Sequence, residues 1–391
     1  MNNELIYLDN AAATRLDERV MEAMKPFLFD TYAVATSQFG YSPGLEAREA
    51  LEQSRGVVAE TVKATADEIV FTSGGTESSN MAIKGVARAL ASVKDRHLIT
   101  SQVEDFGVLD SMRFLERNGY KVDYISVDEH GLLDLDELEN AIRPETALVS
   151  IQHANQEIGT LQNLEAIGAI CQQNGVTFHS DATHSFTRVP IDVNNIPVDL
   201  LSLEASTIHG PKGVGALYIR KGTKLTKWMS GGYQEDNRRG GTENIPGAVG
   251  FARAIQLVAE DENQELEQMR NLFIEGLLSI EHSQLNGHPN KRLPQNANIS
   301  FRFVEGESIL LHLDMRNIAV STGSACFSRS LEASHVMMAI GGDHERAHGS
   351  VRITVSRYNS KDQVPVVVEA LKNIVSRLRE ISPLGKHGDI D

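Results

Sequence analysis

Only two cysteines occur in this 391-residue chain, and one of them stands where a thiol could react. Cys326 lies in STGSACFS (321–328), a run of small residues. Such a run predicts a loop in place of a packed core, which makes the thiol a candidate nucleophile in its thiolate form. An inert, buried cysteine is the other reading. Cys171 falls inside the helical pattern AIGAICQQNG and is assigned to packing. A second candidate is an anion cradle. Gly74, Gly75 and Thr76 close an apolar run and open a helical one, where free N–H groups and the helix dipole favour a phosphate. A glycine turn capped by Thr76 is the plainer alternative.

These residues need elements to position them. From about residue 60 to 220, short apolar runs alternate with amphipathic stretches. DEIVFTS, RHLITSQ, KVDYISV, TALVSIQ and VTFHSDA read as strands; TESSNMAIKGVARALASV, FGVLDSMRFLERNG and NLEAIGAICQQNG read as helices. The alternation implies a largely parallel sheet with helices on both faces, punctuated by the turns SGGT and GPKGVG. From about residue 256 a long charged helix, QLVAEDENQELEQMRNLFIEGLLSI, changes the texture. LPQNANISFRF and GSVRITVS then read as strands of a smaller α+β unit. The expected division is a large domain over residues 15–255, and a small domain of residues 1–14 plus 256–391 that carries Cys326.

Composition narrows the function classes. Hydrophobic residues make up 41% and charged residues 23%, ordinary for a soluble globular chain. No run reaches the roughly 18 apolar residues of a membrane span. MNNELIYLDNAAAT has neither a basic stretch nor an apolar signal core, so a cytoplasmic protein is expected, and two cysteines suit a reducing compartment. A net charge of −16 argues against a protein that coats nucleic acid, since phosphate backbones demand basic surface.

An ordered set of motifs spans nearly the whole chain: YLDNAAAT, TSGGTES (72–78), HANQEIGTLQ (153–162), FHSDATHS (178–185), HGPKGVGALYIRK (209–221), GGYQEDNRRGGTEN (231–244), STGSACFSRSLEASHVMMAIG (321–341) and AHGSVRITVSR (347–357). Together they resemble the class V aminotransferases and, within them, the cysteine desulfurases of the NifS/IscS type. The resemblance implies an aspartate-aminotransferase-like α/β fold (fold type I of the pyridoxal-phosphate enzymes), with a large mixed or parallel sheet, a smaller α+β unit and a homodimer. It places Gly75 and Thr76 at the cofactor phosphate, Asp181 at the pyridine nitrogen and Asn155 near the ring and substrate. Thr242 would reach the phosphate of the neighbouring subunit. Arg352 would fork onto the substrate carboxylate, as a planar guanidinium can, and Cys326 would carry sulfur as a persulfide.

The chain departs from that pattern in one region. Counting back from Gly210-Pro211, the position of the Schiff-base lysine holds Thr207, its histidine neighbour is Ser206, and the phosphate-binding serine is Glu204. A threonine offers no amine. Lys212, the nearest lysine, matches the second lysine of the family's GPKG turn. Asp105 stands where a stacking histidine is usual, and His184 replaces a glutamine. Beside a phosphate charge about 4 Å away, a Glu204 carboxylate costs about 1 kcal/mol per charge pair in water and about 4 near a protein surface. On these grounds no stably bound pyridoxal phosphate is expected. The leading expectation is a desulfurase-like partner in iron–sulfur cluster assembly that releases no sulfur from cysteine by itself. It docks an IscU-type scaffold and offers Cys326 as a persulfide acceptor or as a ligand to a shared iron–sulfur cluster. An active, pyridoxal-phosphate-dependent cysteine desulfurase is one alternative, and a structural or regulatory partner of an active paralogue is another.

Overall fold

In this computed structural model the described residues are 5–35, 40–91, 96–322 and 333–381. Cys326 and its loop motif from Gly323 onward lie outside them. The strands, in chain order, are β1 (Ile6–Tyr7), β2 (Ile69–Thr72), β3 (His97–Ser101), β4 (Lys121–Ile125), β5 (Thr146–Ser150), β6 (Thr177–Asp181), β7 (Leu200–Glu204), β8 (Gly215–Ile219), β9 (Ser283–Leu285), β10 (Asn296–Phe301), β11 (Ile318–Ala319) and β12 (Ser350–Thr354).

Seven strands form one sheet in the order β2-β8-β7-β6-β5-β3-β4. From β4 to β7 every pairing is parallel, whereas β8 runs antiparallel to both β7 and β2. The sheet is therefore mixed, and β2 points the same way as β7. Period-two alternation sorts its apolar side chains onto two faces. Ile69, Phe71, Ile99, Val149, Phe178, Leu201, Leu203 and Tyr218 belong to one core. Val70, Leu98, Leu148, Leu200, Leu217 and Ile219 belong to another. Every residue of β3 and β5 is buried, as expected for inner parallel strands covered on both sides. Their polar members pair across the sheet: His97 Nδ1 and Thr146 Oγ1 lie 2.8 Å apart. β4, at the sheet edge, begins with the exposed Lys121, a placement that discourages edge-to-edge pairing.

A separate core joins Leu8 to residues from Leu266 to Leu378. There β9 and β12 flank β10 in an antiparallel three-stranded sheet, covered by helices Glu262–Leu278 and Gln363–Ile381. β1 pairs in parallel with β11, which tethers the chain start to this unit. The long helix expected from residue 256 is interrupted. One helix ends at Gln256 and the next begins at Glu262. The reason is tertiary: the Glu262 side chain turns inward to pair with Arg188 and Arg357. Helices Glu18–Phe29 and Ser42–Thr61 pack against helix Ile245–Gln256. Among the described residues no helix is long and apolar enough to cross a membrane.

Candidate functional site

The C-terminal ends of co-directional strands open on one edge of the sheet, where ligands of α/β proteins bind. β2 leads into Gly74–Thr76, β3 into Glu104 and Asp105, β5 into His153 and Asn155, β6 into Asp181–His184, and β7 into Glu204–Thr207.

At the start of helix Gly75–Leu90 the glycines are structural necessities. Gly74 has φ 144°, where a side chain is strained. A Cβ on Gly75 would come within 2.9 Å of Glu204 Oε2 and collide with the Thr183 methyl. The Gly75 N–H donates to Glu204 Oε2 at 3.0 Å, and the Ser206 hydroxyl donates to Glu204 Oε1. Two residues earlier, the Ser73 N–H donates to Glu77 Oε2 at 2.6 Å. Arg239 closes the cluster, with its Nε 2.9 Å from Glu77 Oε1. Two carboxylates thus occupy N–H groups of the helix start, in line with its dipole. Thr76 itself is exposed.

Asp181, at the end of β6, accepts from the Thr183 N–H at 3.0 Å, the Thr183 hydroxyl at 2.7 Å and the Ser79 hydroxyl at 3.2 Å. It is buried, and among the described residues no cationic side chain pairs with it. Burial first, and then the charge of Asp105, raise its carboxyl to about 6. Behind it runs a buried polar chain: Ser79 to Ser202 at 2.9 Å, Ser202 to His179 at 2.9 Å, and His179 to Ser150 at 2.8 Å. Burial lowers His179 to about 3, so this chain is neutral. Glu104 is also buried, accepting from the Ser101 hydroxyl and the Gln152 N–H. Burial is the main reason its carboxyl is pushed up to about 8.

The remaining sequence candidates divide between the pocket and its frame. His184 is enclosed, and burial lowers its basicity; Asp105, Arg352 and Glu204 are the charges it feels. Arg352 pairs through Nη2 with Asp9 at 2.8 Å, while its buried Nε has no partner among the described residues. Asn155 is committed to its own turn, accepting from the Glu157 and Ile158 N–H groups and donating to the Val103 carbonyl, each at 2.9 Å. The Thr207 hydroxyl donates to the Thr183 carbonyl at 2.8 Å. The Lys212 ammonium donates to the Thr14 carbonyl at 3.2 Å. Asp105 has a structural role: Oδ1 caps helix Phe106–Arg117 through the Gly107 N–H, and Oδ2 accepts from Gln156. Thr242 is exposed in the single chain. Asp9, Glu77, Thr183 and Glu104 join the site without having been singled out by sequence; Asp9, Glu77 and Glu104 meet distant partners in Arg352, Arg239 and Gln152, and Thr183 holds Asp181 two residues away. Among the described residues, no group of three or more His, Cys, Asp or Glu side chains is arranged to hold a metal ion.

Comparison with known proteins agrees with this geometry. The family described as aminotransferase class-V matches residues 6–367. A protein of Dictyoglomus turgidum named cysteine desulfurase IscS is 47% identical over 382 residues, covering 97% of this chain and 96% of its own. A solved NifS-like protein superimposes with a TM-score of 0.89 at 34% identity, covering 96% of this chain and all 100% of that one. The structure described as SspA in complex with cysteine aligns with a TM-score of 0.81 at 35% identity, covering 91% of this chain and 100% of that one.

These relatives overturn the expectation that no pyridoxal phosphate is stably bound. Near-full-length similarity to proteins named cysteine desulfurases gives no ground for a loss of that cofactor. The physical reason is that the Schiff-base lysine is one anchor among several. Thr207 removes the covalent anchor, yet the buried, unpaired carboxylate of Asp181 and the guanidinium of Arg352 with its unpartnered Nε remain in place. Asp181 and Arg352 fit the ring nitrogen and the substrate carboxylate, whereas Glu204–Thr207, Asp105 and His184 depart from the pattern.

Proposed function

Because the chain belongs to the class-V aminotransferase family, we propose that it is a pyridoxal-phosphate-dependent cysteine desulfurase, forming L-alanine from L-cysteine and taking the sulfur as a persulfide on Cys326. The observation that carries this reading is Asp181, a buried carboxylate with no cationic partner among the described residues, anchored by three donors at the end of β6. Such a group suits a protonated pyridine nitrogen, because a buried charge pair with its remaining lone pairs satisfied is held firmly.

When bound, the cofactor supplies an electron sink for the substrate α-carbon. The chain's own residues orient and recognise. Asp181 holds the ring-nitrogen proton, and Asn155 lines the ring side. Gly75 and Thr76 serve the phosphate, joined by the partner's Thr242 in a homodimer. Arg352 takes the substrate carboxylate in exchange for Asp9, its present partner at 2.8 Å. The neutral Ser79–Ser202–His179 chain keeps Asp181 oriented without competing for its charge. Cys326 then hands sulfur to an IscU-type scaffold in iron–sulfur cluster assembly, a role suggested by relatives named IscS.

Thr207 favours a second reading, in which the protein offers Cys326 to cluster assembly without turning over cysteine. One experiment decides between them. The purified protein is saturated with pyridoxal phosphate and given sulfur-labelled L-cysteine, and alanine and protein-bound persulfide are measured. The proposed enzyme makes both in equal amounts in a first turnover, and it loses both in Cys326→Ala, where the sulfur has no acceptor, and in Asp181→Asn. If cofactor-saturated protein forms no alanine, the desulfurase reading fails and the second stands.

A further inference from the structure

The start of helix Gly75–Leu90 is where this family would seat a phosphate, yet here an anion from the chain itself is seated there. Glu204, the last residue of β7, reaches across to the Gly75 N–H at 3.0 Å. Its other oxygen is fixed by the Ser206 hydroxyl two residues on, and a Cβ on Gly74 or Gly75 would lie within 4 Å of the carboxylate, in space that the glycines leave open to it. Glu77 takes the Ser73 N–H and is neutralised by Arg239. Glu204 has no such cation: among the described residues its hydrogen-bond partners are a backbone N–H and a hydroxyl. The carboxylate is therefore a built-in anion at the position where a phosphate oxygen would accept the same N–H.

We infer that Glu204 sets the anion specificity of this pocket by competing with the cofactor's phosphate for the helix start. The inference rests on reading the pocket as the cofactor's. Admission of a phosphate requires the Glu204 side chain to leave the Gly75 N–H and turn outward, which its partial exposure permits. A like charge left about 4 Å from each phosphate charge weakens binding by about fivefold in a water-like setting, and by several hundredfold or more near a protein surface. A pyridine ligand without the phosphate escapes this competition, because the ring contacts of Asp181 lie on a different strand end. Glu204 thus tilts the pocket from phosphorylated toward unphosphorylated ligands without abolishing either.

Two variants test it by equilibrium dialysis against pyridoxal phosphate, pyridoxal and inorganic phosphate, with thermal unfolding followed in parallel. Glu204→Ser is expected to bind pyridoxal phosphate at least about tenfold more tightly than the natural chain. Inorganic phosphate should raise its unfolding temperature at concentrations that leave the natural chain unchanged, while pyridoxal affinity moves by less than about threefold. Glu204→Gln keeps the side chain's size and one acceptor but removes the charge, and should show the same ordering. If both folded variants bind pyridoxal phosphate and inorganic phosphate as the natural chain does, the inference is overturned. Because inorganic phosphate reports on the helix start alone, a gain in phosphate affinity without cysteine turnover upholds Glu204's role while refuting the desulfurase reading. Turnover with unchanged affinities refutes Glu204's role and leaves the desulfurase reading standing.

Discussion

Replacing Glu104 by glutamine is expected to stabilise the protein, and more so at pH 8 than at pH 5. Glu104 is 1% exposed just beyond β3. Its Oε1 accepts from both the Ser101 hydroxyl and the Gln152 N–H, and Asp181 and Asp105 lie near it. Burial chiefly, with those like charges adding, moves its carboxyl from 4.5 to about 8. The folded protein therefore holds a proton that the unfolded chain releases near 4.5. The contribution is fully present below that value and is lost as pH rises toward about 8. At 1.36 kcal/mol per pH unit, the natural protein loses about 3 kcal/mol between pH 5 and pH 8 through this group. A glutamine oxygen can accept the same two donors, yet the side chain has nothing to ionise. Urea unfolding of both proteins at pH 5, 6.5 and 8 measures the gap between them. It should widen by about 3 kcal/mol over that range, and infrared difference spectra should lose a protonated-carboxyl band at neutral pH. A gap that stays constant, with no such band, would show that Glu104 ionises like an exposed carboxylate and would refute the reasoning from burial. The consequence for the site is direct. A neutral Glu104 removes one of the like charges beside Asp181.

Two further expectations follow from the same geometry. Thr207→Lys supplies an amine where the resemblance puts one, so borohydride treatment after loading with pyridoxal phosphate should fix a cofactor mass on the peptide containing residue 207. The natural chain, whose Lys212 faces the Thr14 carbonyl, should show none on the same peptide, and a label on Lys212 instead would mean that the pocket is turned differently. Arg188→Ala removes one of two buried cations that hold Glu262, whose side chain is 5% exposed. It should cost about 3 kcal/mol in urea unfolding; a loss below about 1 kcal/mol would mean that Arg357 neutralises Glu262 unaided.

Local pattern carried much of the sheet. β2 to β6 announce themselves as apolar runs bounded by turns, and β10 and β12 likewise. What pattern could not carry was direction. β8 reverses relative to its neighbours, and pairing sense depends on where distant segments meet. The break between Gln256 and Glu262 was hidden for a related reason: the residues are all competent helix formers, and only the burial of Glu262 against Arg188 and Arg357 dictates the turn. In the pocket, the ordered motifs located Gly75, Asp181, Glu204, Thr207 and Arg352 by position, and the fold brings all of them to the strand-end edge or its rim. Asp105 was legible as a missing aromatic ring but not as a helix cap, since capping needs the φ of a particular residue, here −64°. Nothing in the type of Glu104 foretells a carboxyl near 8, because desolvation belongs to the surroundings and not to the residue.

The expectation of a pocket empty of its cofactor failed because it counted five substitutions as a single loss. Their contacts in the structure are separable. Asp105 serves helix Phe106–Arg117, Thr207 and Ser206 hold the turn after β7, and Glu204 serves the N–H of Gly75. Asp105, Ser206 and Glu204 make none of the three hydrogen bonds that fix Asp181, and Thr207 meets Thr183 at its carbonyl, which leaves the Thr183 N–H and hydroxyl on Asp181. A binding site built from several strand ends loses affinity contact by contact, so losing one anchor weakens the whole without deleting it. The helix start illustrates why such changes persist. Its free N–H groups demand an anion whether or not a ligand is bound, and a glutamate at the end of β7 meets that demand permanently. On the proposed reading, seating the cofactor's phosphate is then an exchange of one anion for another at the Gly75 N–H.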